Sequence, residues 1–257
     1  MTDVYRLLQF TDPHLYAERG GEMRGVRTLE TLLATMRQAR QRHWPPDAIL
    51  VTGDIAQDES QGAYQLFREC FGALGVPIHC LPGNHDAPEF MQELLTQAPF
   101  GYCETLTLGD WCVPMLDSHT PGDAGGRLGQ DQLDRLADLL NHSAGKHFLI
   151  CLHHHPVSSG SRWLDTVALR NAADLWDIVE QHDHVRGLLW GHVHQEYDDR
   201  RNGVLLLATP STCRQFKPNM IKFALDEDRP PAYRWLELYP DGNIITEVAW
   251  CDTQDPD

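Results

Sequence analysis

The chain has 257 residues, 42% hydrophobic and 23% charged, the composition of an ordinary globular protein with room for one large core or two small ones. Twenty-one Lys and Arg stand against 37 Asp and Glu, a formal net charge of −16 with no basic stripe, which argues against a nucleic-acid polymer bound through its phosphates. The opening MTDVYRLLQFTDPH lacks a basic segment followed by an apolar one, and no apolar run approaches the ~20 residues of a membrane span; the expected address is the cytoplasm, with no membrane partner.

In chain order, strand-like apolar runs fall at 6–11, 48–52, 78–81, 111–116, 147–152, 185–190 and 204–209. Between them lie segments of helical period. Val26, Leu29, Leu32, Leu33, Met36 and Ala39 make one apolar face, and Ala63, Leu66, Phe67, Cys70 and Phe71 a second. Leu133, Leu136, Leu139 and Leu140 make a third, and Leu169, Ala172, Ala173, Trp176 and Val179 a fourth. Strands spaced by helices predict parallel pairing with helices on the sheet faces. Segments 220–225, 233–238 and 244–250 read as strands without intervening helices, the last two joined by a turn at Pro240-Asp241-Gly242-Asn243, and predict a second, partly antiparallel sheet. With no repeat, linker or boundary in view, 1–252 is expected to form a single domain and 253–257 a disordered tail. The seven cysteines form no CxxC pair and are expected to be reduced structural thiols.

Five short motifs follow these apolar runs: Asp12-Pro-His14, Gly53-Asp54, Gly83-Asn84-His85-Asp86, His153-His154-His155-Pro156 and Gly191-His192-Val193-His194. Loops beyond the carboxyl ends of strands in open α/β sheets form a common crevice, so five sequence-distant loops are expected to converge. Asp-x-His and His-x-His place two ligands at i and i+2, on one face of extended chain. A carboxylate such as Asp54 has two oxygens and can bridge two ions, and Asn84 adds an amide oxygen without charge. Each motif alone is an ordinary turn or loop start; all five in this order supply ligands for two divalent ions with one histidine to spare. Paired ions suit phosphoryl transfer, because they clamp the attacking and leaving oxygens together. With two ions at +4, Asp12 and Asp54 at −2 and a hydroxide at −1, the pocket would be near +1, matched to a small phosphodiester monoanion.

The ordered set D-x-H, GD, GNHD, H-x-P and GHxH resembles the calcineurin-like metallophosphoesterase superfamily. Within it the chain resembles the bacterial class III 3′,5′-cyclic-AMP phosphodiesterases, on stretches that include GDIAQDES, HHHP followed by RWLD, ALRNA, GHVHQE and LATPSTCRQFKP. The resemblance implies an α/β fold, a four-layer α/β/β/α sandwich with two mixed sheets flanked by helices. It implies one metal held by Asp12, His14, Asp54 and His194 and a second by Asp54, Asn84, His154 and His192, with Asp54 bridging. His154 is chosen because the family's ligand lies two before the proline, with His153 as the alternative. Fe or Mn is expected at both positions, with Zn or Co as alternatives.

The implied activity is hydrolysis of the small-molecule substrate cyclic AMP to 5′-AMP by a metal-activated water. His14, Asn84, His85 and His194 would contact the substrate. His85 would be the catalytic acid at the leaving oxygen, and Asp86 either orients it or caps the following helix. Asp58 reads as a helix cap, and Trp44 and Trp176 as packing. Arg162, Trp163, Arg170, Asn171, Ser211, Thr212 and Phe216 are candidates for holding the nucleotide. Other functions compatible with the motifs are hydrolysis of another small diester, such as a glycerophosphodiester or a 2′,3′-cyclic nucleotide, and a non-catalytic interaction scaffold, which would be expected to have lost ligands. GxSxG and GxxxxGK[ST] are both missing, which excludes the corresponding serine-hydrolase and P-loop chemistries.

Overall fold

Alternation of apolar side chains along the strands decides the architecture of the molecule. The structure, a computed structural model, describes residues 3–251; the expected carboxy-terminal tail lies outside them. The first half contains β1 (Tyr5–Phe10), β2 (Glu22–Met23), β3 (Val26–Arg27), α1 (Thr28–Arg42), β4 (Ala48–Thr52), α2 (Gln61–Gly72), β5 (Ile78–Leu81), α3 (Pro88–Leu94), β6 (Phe100–Tyr102), β7 (Thr105–Leu108) and β8 (Trp111–Pro114). There follow α4 (Gln130–His142), β9 (His147–Cys151), α5 (Arg162–Asp165), α6 (Ala172–Val179), β10 (Val185–Trp190), β11 (Tyr197–Arg201), β12 (Val204–Ala208), β13 (Gln215–Phe216), β14 (Leu225–Asp226), β15 (Ala232–Leu238) and β16 (Ile244–Trp250).

Two six-stranded sheets result, ordered β16-β15-β1-β4-β5-β6 and β11-β12-β10-β9-β8-β7. Strands β1, β4, β5 and β6 run parallel, as do β12, β10, β9 and β8. The first parallel core carries antiparallel β15 and β16 at one margin, and the second carries antiparallel β11 and β7 at its two margins.

Successive side chains of one strand enter different cores. In β4, Ile49 and Val51 join α1–α3, while Ala48 and Leu50 face the other sheet. In β9, Phe148 and Ile150 join α4–α6, while Leu149 and Cys151 face inward. Three cores between four layers therefore stack as α/β/β/α. Each fully buried Leu or Phe contributes ~1.5–3 kcal/mol to this arrangement. Polar ties join the sheets as well: Gln9 of β1 donates to the Trp190 carbonyl at 3.2 Å, and Arg234 of β15 donates to the Ala208 carbonyl at 3.0 Å.

The carboxy-terminal strands correct the sequence-based expectation. Instead of building a second sheet, β15 and β16 form a hairpin that extends the first sheet, with β15 antiparallel to β1. Segment 220–225 is not a strand; only its last residue enters the two-stranded ribbon of β13 and β14. The second sheet is built from β7 to β12, including the polar margin strand β11, whose sequence YDDRR has no apolar alternation to announce it. In α1, Leu29, Leu32, Met36 and Ala39 are buried as expected, but Leu33 is exposed and Val26 belongs to the β2–β3 ribbon. Trp176 is buried in the core under α6, and Trp44 packs beside α1. All seven cysteines are free thiols.

Candidate metal centre

All five motif loops leave carboxyl ends of parallel strands: β1, β4, β5, β9 and β10. The backbone turns sharply there. Asp12, His14, Asp54, His192 and His194 all have left-handed φ, between 47° and 66°. For residues with a Cβ this conformation costs about 1–2 kcal/mol each, and such strain gathers at functional sites. The loops brace one another: Asp12 N donates to the Gly53 carbonyl at 3.0 Å and His14 N to the Asp54 carbonyl at 2.9 Å. Gly53, at φ 93°, accommodates the His153 ring, because a Cβ there would lie 2.5 Å from His153 Nδ1. At Gly83 a Cβ would collide with Asp54 Oδ1.

Two groups of ligand-type side chains converge, Asp12, His14, Asp54 and His194 in one, His153, His154 and His192 in the other, with ligand atoms within 4.8 Å in each. In the first, His14 Nε2 lies 3.6 Å from Asp54 Oδ2, His194 Nε2 lies 3.3 Å from Asp12 Oδ1, and the two imidazole nitrogens are 3.1 Å apart. Toward the second, Asp54 turns its other oxygen: Oδ1 is 3.5 Å from His153 Nε2, which is also 3.3 Å from Asn84 Oδ1. One carboxylate thus presents one oxygen to each group.

Three imidazoles have one nitrogen tied to a backbone carbonyl, which can only accept. His153 Nδ1 meets Thr52 O at 2.7 Å, His192 Nε2 meets Val167 O at 3.1 Å and His194 Nδ1 meets Arg214 O at 2.6 Å. A proton is therefore held on each outer nitrogen, and the inner nitrogens are turned toward the cluster, the arrangement that supports metal-bound histidines. Burial pushes His14 down to about 3 and holds His192 well below the usual imidazole value, so both are neutral at pH 7. Burial opposes ionisation of Asp12, but His194 beside it keeps the carboxyl below its ordinary value. At Asp54 the same opposition is outweighed by His153, which holds the carboxyl well below it. Buried carboxylates and imidazole lone pairs brought together in this way form an acceptor-rich cluster that a cation relieves. The donor set fits divalent metal ions.

The three adjacent histidines diverge. His153 faces Asp54, His154 Nδ1 lies 2.8 Å from Ser118 Oγ, and His155 Nε2 lies 3.4 Å from Asp165 Oδ1. Asn84 and His85 are only half-buried and open onto a cavity of about 670 Å³, which His14, Asp54, His192 and His194 also line. Of the nucleotide-holding candidates, Trp163 and Phe216 line it too. The others have structural engagements: Arg170 pairs with Asp123, Asn171 bonds the backbone of Leu128, Ser211 donates to Asp12 O, and Thr212 N bonds Thr11 O. Arg162 is exposed and is not among the cavity residues.

Asp86 neither orients His85 nor caps α3. Its carboxylate accepts from the backbone nitrogens of Ile55, Ala56 and Gly83 and from the Tyr64 hydroxyl, clamping the GNHD loop to the loop after β4. Ala87 is the N-cap of α3 and makes no side-chain cap bond. The side chain that meets His85 is Gln57, which sequence reasoning missed although it lies three residues after Asp54. Ser60 caps α2 through Ala63 N; Asp58 supports Ser60 and accepts from Ala17 N.

The sequence model of the calcineurin-like phosphoesterase family matches residues 5–196. The chain is 42% identical over 244 residues to the 3′,5′-cyclic adenosine monophosphate phosphodiesterase CpdA of Escherichia coli, covering 95% of this chain and 88% of the relative. It is 39% identical over 246 residues to the CpdA phosphodiesterase of Pseudomonas aeruginosa, covering 96% and 90%. A dimetal phosphatase from Danio rerio shares the fold, with a TM-score of 0.67 at 13% identity over 96% of this chain and 99% of that one. The chain belongs to the calcineurin-like phosphoesterase family, whose members are hydrolytic enzymes. Among the described residues no helix is long and apolar enough to cross a membrane.

Proposed function

We propose that the protein hydrolyses 3′,5′-cyclic AMP to 5′-AMP at a dinuclear metal centre. The observation that carries this reading is Asp54, with Oδ2 toward His14 and Oδ1 toward His153, one oxygen for each of two adjacent positions. The activity for which the relatives are named supports the substrate. Asp12, His14, Asp54 and His194 would hold one ion. Asp54, Asn84, His192 and His153 would hold the other, with His153 in place of His154 of the sequence-based assignment because His153 Nε2 lies 3.5 Å from Asp54 Oδ1 and 3.3 Å from Asn84 Oδ1. Fe or Mn is our assignment for both. When bound, such ions supply Lewis acidity toward phosphoryl oxygens and a hydroxide-strength nucleophile at neutral pH.

The chain's own residues do the rest. Asn84 and His14 flank the site where the phosphoryl group sits. His85, half-buried at the cavity wall with its ring centroid 5.2 Å from that of His14, donates a proton to the leaving 3′-oxygen. The Gln57 side-chain amide, 3.3 Å from His85 Nδ1, holds the ring so that Nε2 is free to face the substrate. The test is product identification with metal-loaded protein on 3′,5′-cyclic AMP, its 2′,3′ isomer and glycerophosphodiesters. Formation of 5′-AMP from the 3′,5′ diester is expected; turnover of only the other diesters would overturn the substrate.

A further inference from the structure

Beside the candidate metal centre, the cavity wall is aromatic. Trp163 follows the HHHP loop, Phe216 ends β13, and Phe223 lies in the segment leading to β14. Their rings meet edge to face, with centroids 5.1 to 5.4 Å apart. Phe216 also lies flat on His194, 4.1 Å away with 11° between planes, so the aromatic cluster is continuous with the ligand set. These rings are not sealed in a core: Trp163 is half-buried, Phe223 is 42% exposed, and all three border the 670 Å³ cavity. The buried indole Nε1 of Trp163 has no hydrogen-bond partner among the described residues.

A guanidinium completes the wall. Arg24 sits at the tip of the β2–β3 hairpin, where Arg24 and Gly25 have φ of 52° and 81°, as a two-residue hairpin turn of mirror-image type requires. Arg214 Nε donates to the Arg24 carbonyl at 3.1 Å and ties the tip down. The Arg24 side chain then lies 4.8 Å over the Phe223 ring. Aromatic faces with a guanidinium beside them form a stacking platform for a flat, electron-rich heterocycle.

We propose that Trp163, Phe216 and Phe223, with Arg24 over the outer ring, form the subsite for the nucleobase of a cyclic nucleotide, favouring purines over pyrimidines by their larger stacking area. The proposal rests on the cyclic phosphodiester reading above, and it makes this wall the part of the site that separates nucleotides from simple diesters. The ribose of a nucleoside 3′,5′-cyclic phosphate spans the step from phosphorus at the metal loops to the base on the wall.

The test compares wild type with Phe223→Ala and Trp163→Phe on cyclic AMP, cyclic CMP and base-free methyl ribofuranoside 3′,5′-cyclic phosphate. Inhibition of bis(p-nitrophenyl) phosphate hydrolysis by 5′-AMP and by ribose 5-phosphate is measured in parallel. Phe223→Ala removes an exposed ring and should raise KM for cyclic AMP roughly 5–100-fold with kcat little changed. It should leave the base-free ester unaffected and reduce the preference of the protein for AMP over ribose 5-phosphate. Trp163→Phe, which keeps an aromatic face, should give a smaller change in the same direction. Equal losses on cyclic AMP and the base-free ester would overturn the subsite. Tighter binding of AMP than of ribose 5-phosphate, without turnover of any cyclic nucleotide, would retain the subsite and overturn only the substrate. Equal inhibition by the two would overturn the subsite whatever the substrate.

Discussion

Gln57 holds its side-chain amide nitrogen 3.3 Å from Nδ1 of His85. An amide can donate or accept, so it holds the ring in one orientation. His85→Ala should leave both metals bound and slow cyclic AMP hydrolysis by ~10²–10⁴-fold. Gln57→Ala should slow it by about 10-fold in kcat, with KM nearly unchanged. Both defects should shrink on a p-nitrophenyl ester, whose leaving group departs without a proton. Equal losses on activated and unactivated esters would count against the acid assignment.

Because Asp54 offers an oxygen to each ligand group, Asp54→Ala should remove most metal and turnover together. Metal content per chain, measured beside activity, checks this. A variant with full occupancy and near-normal turnover would dismantle the bridging assignment.

The divergence of the three adjacent histidines makes a separate prediction. His153→Ala should lose one of two metals per chain, while His154→Ala should keep both and lose mainly the packing and hydrogen bond at Ser118. The reverse pattern of metal stoichiometry would favour His154, the ligand that the family resemblance implied.

Without metal, the His153–Asp54 contact is an ion pair. Burial lowers the affinity of His153 for its proton, but the adjacent Asp54 carboxylate outweighs this and lifts the group from 6.5 to about 9. A folded-state value above the unfolded one means that this stabilisation is fully present below pH 6.5 and lost as pH rises through about 9. Denaturant titrations of the metal-free protein should show stability falling over that window, by at most ~1.4 kcal/mol per pH unit. His153→Gln should flatten the slope. Metal must displace the same proton, so apparent metal affinity should rise across the window, with proton release measurable by calorimetry in buffers of different ionisation enthalpy.

The sequence by itself determined the candidate ligand types, their order and their places at strand ends, because a strand's apolar period and a loop's polar punctuation are both local. It also marked four helices and most of the central strands. Tertiary structure decided what depends on distant partners. Leu236 and Leu238 of β15 alternate as any half-buried strand does, and only the available edge of β1 makes them part of the first sheet. Consecutive histidines in a loop have no period to orient them; Thr52, Ser118 and Asp165 give His153, His154 and His155 three different partners. The carboxylate of Asp86 was taken up by three backbone nitrogens, leaving His85 to Gln57. The aromatic wall required residues 163, 216 and 223 to meet beside a hairpin tip at 24, a juxtaposition created when both sheets pack and their loops crowd onto one edge.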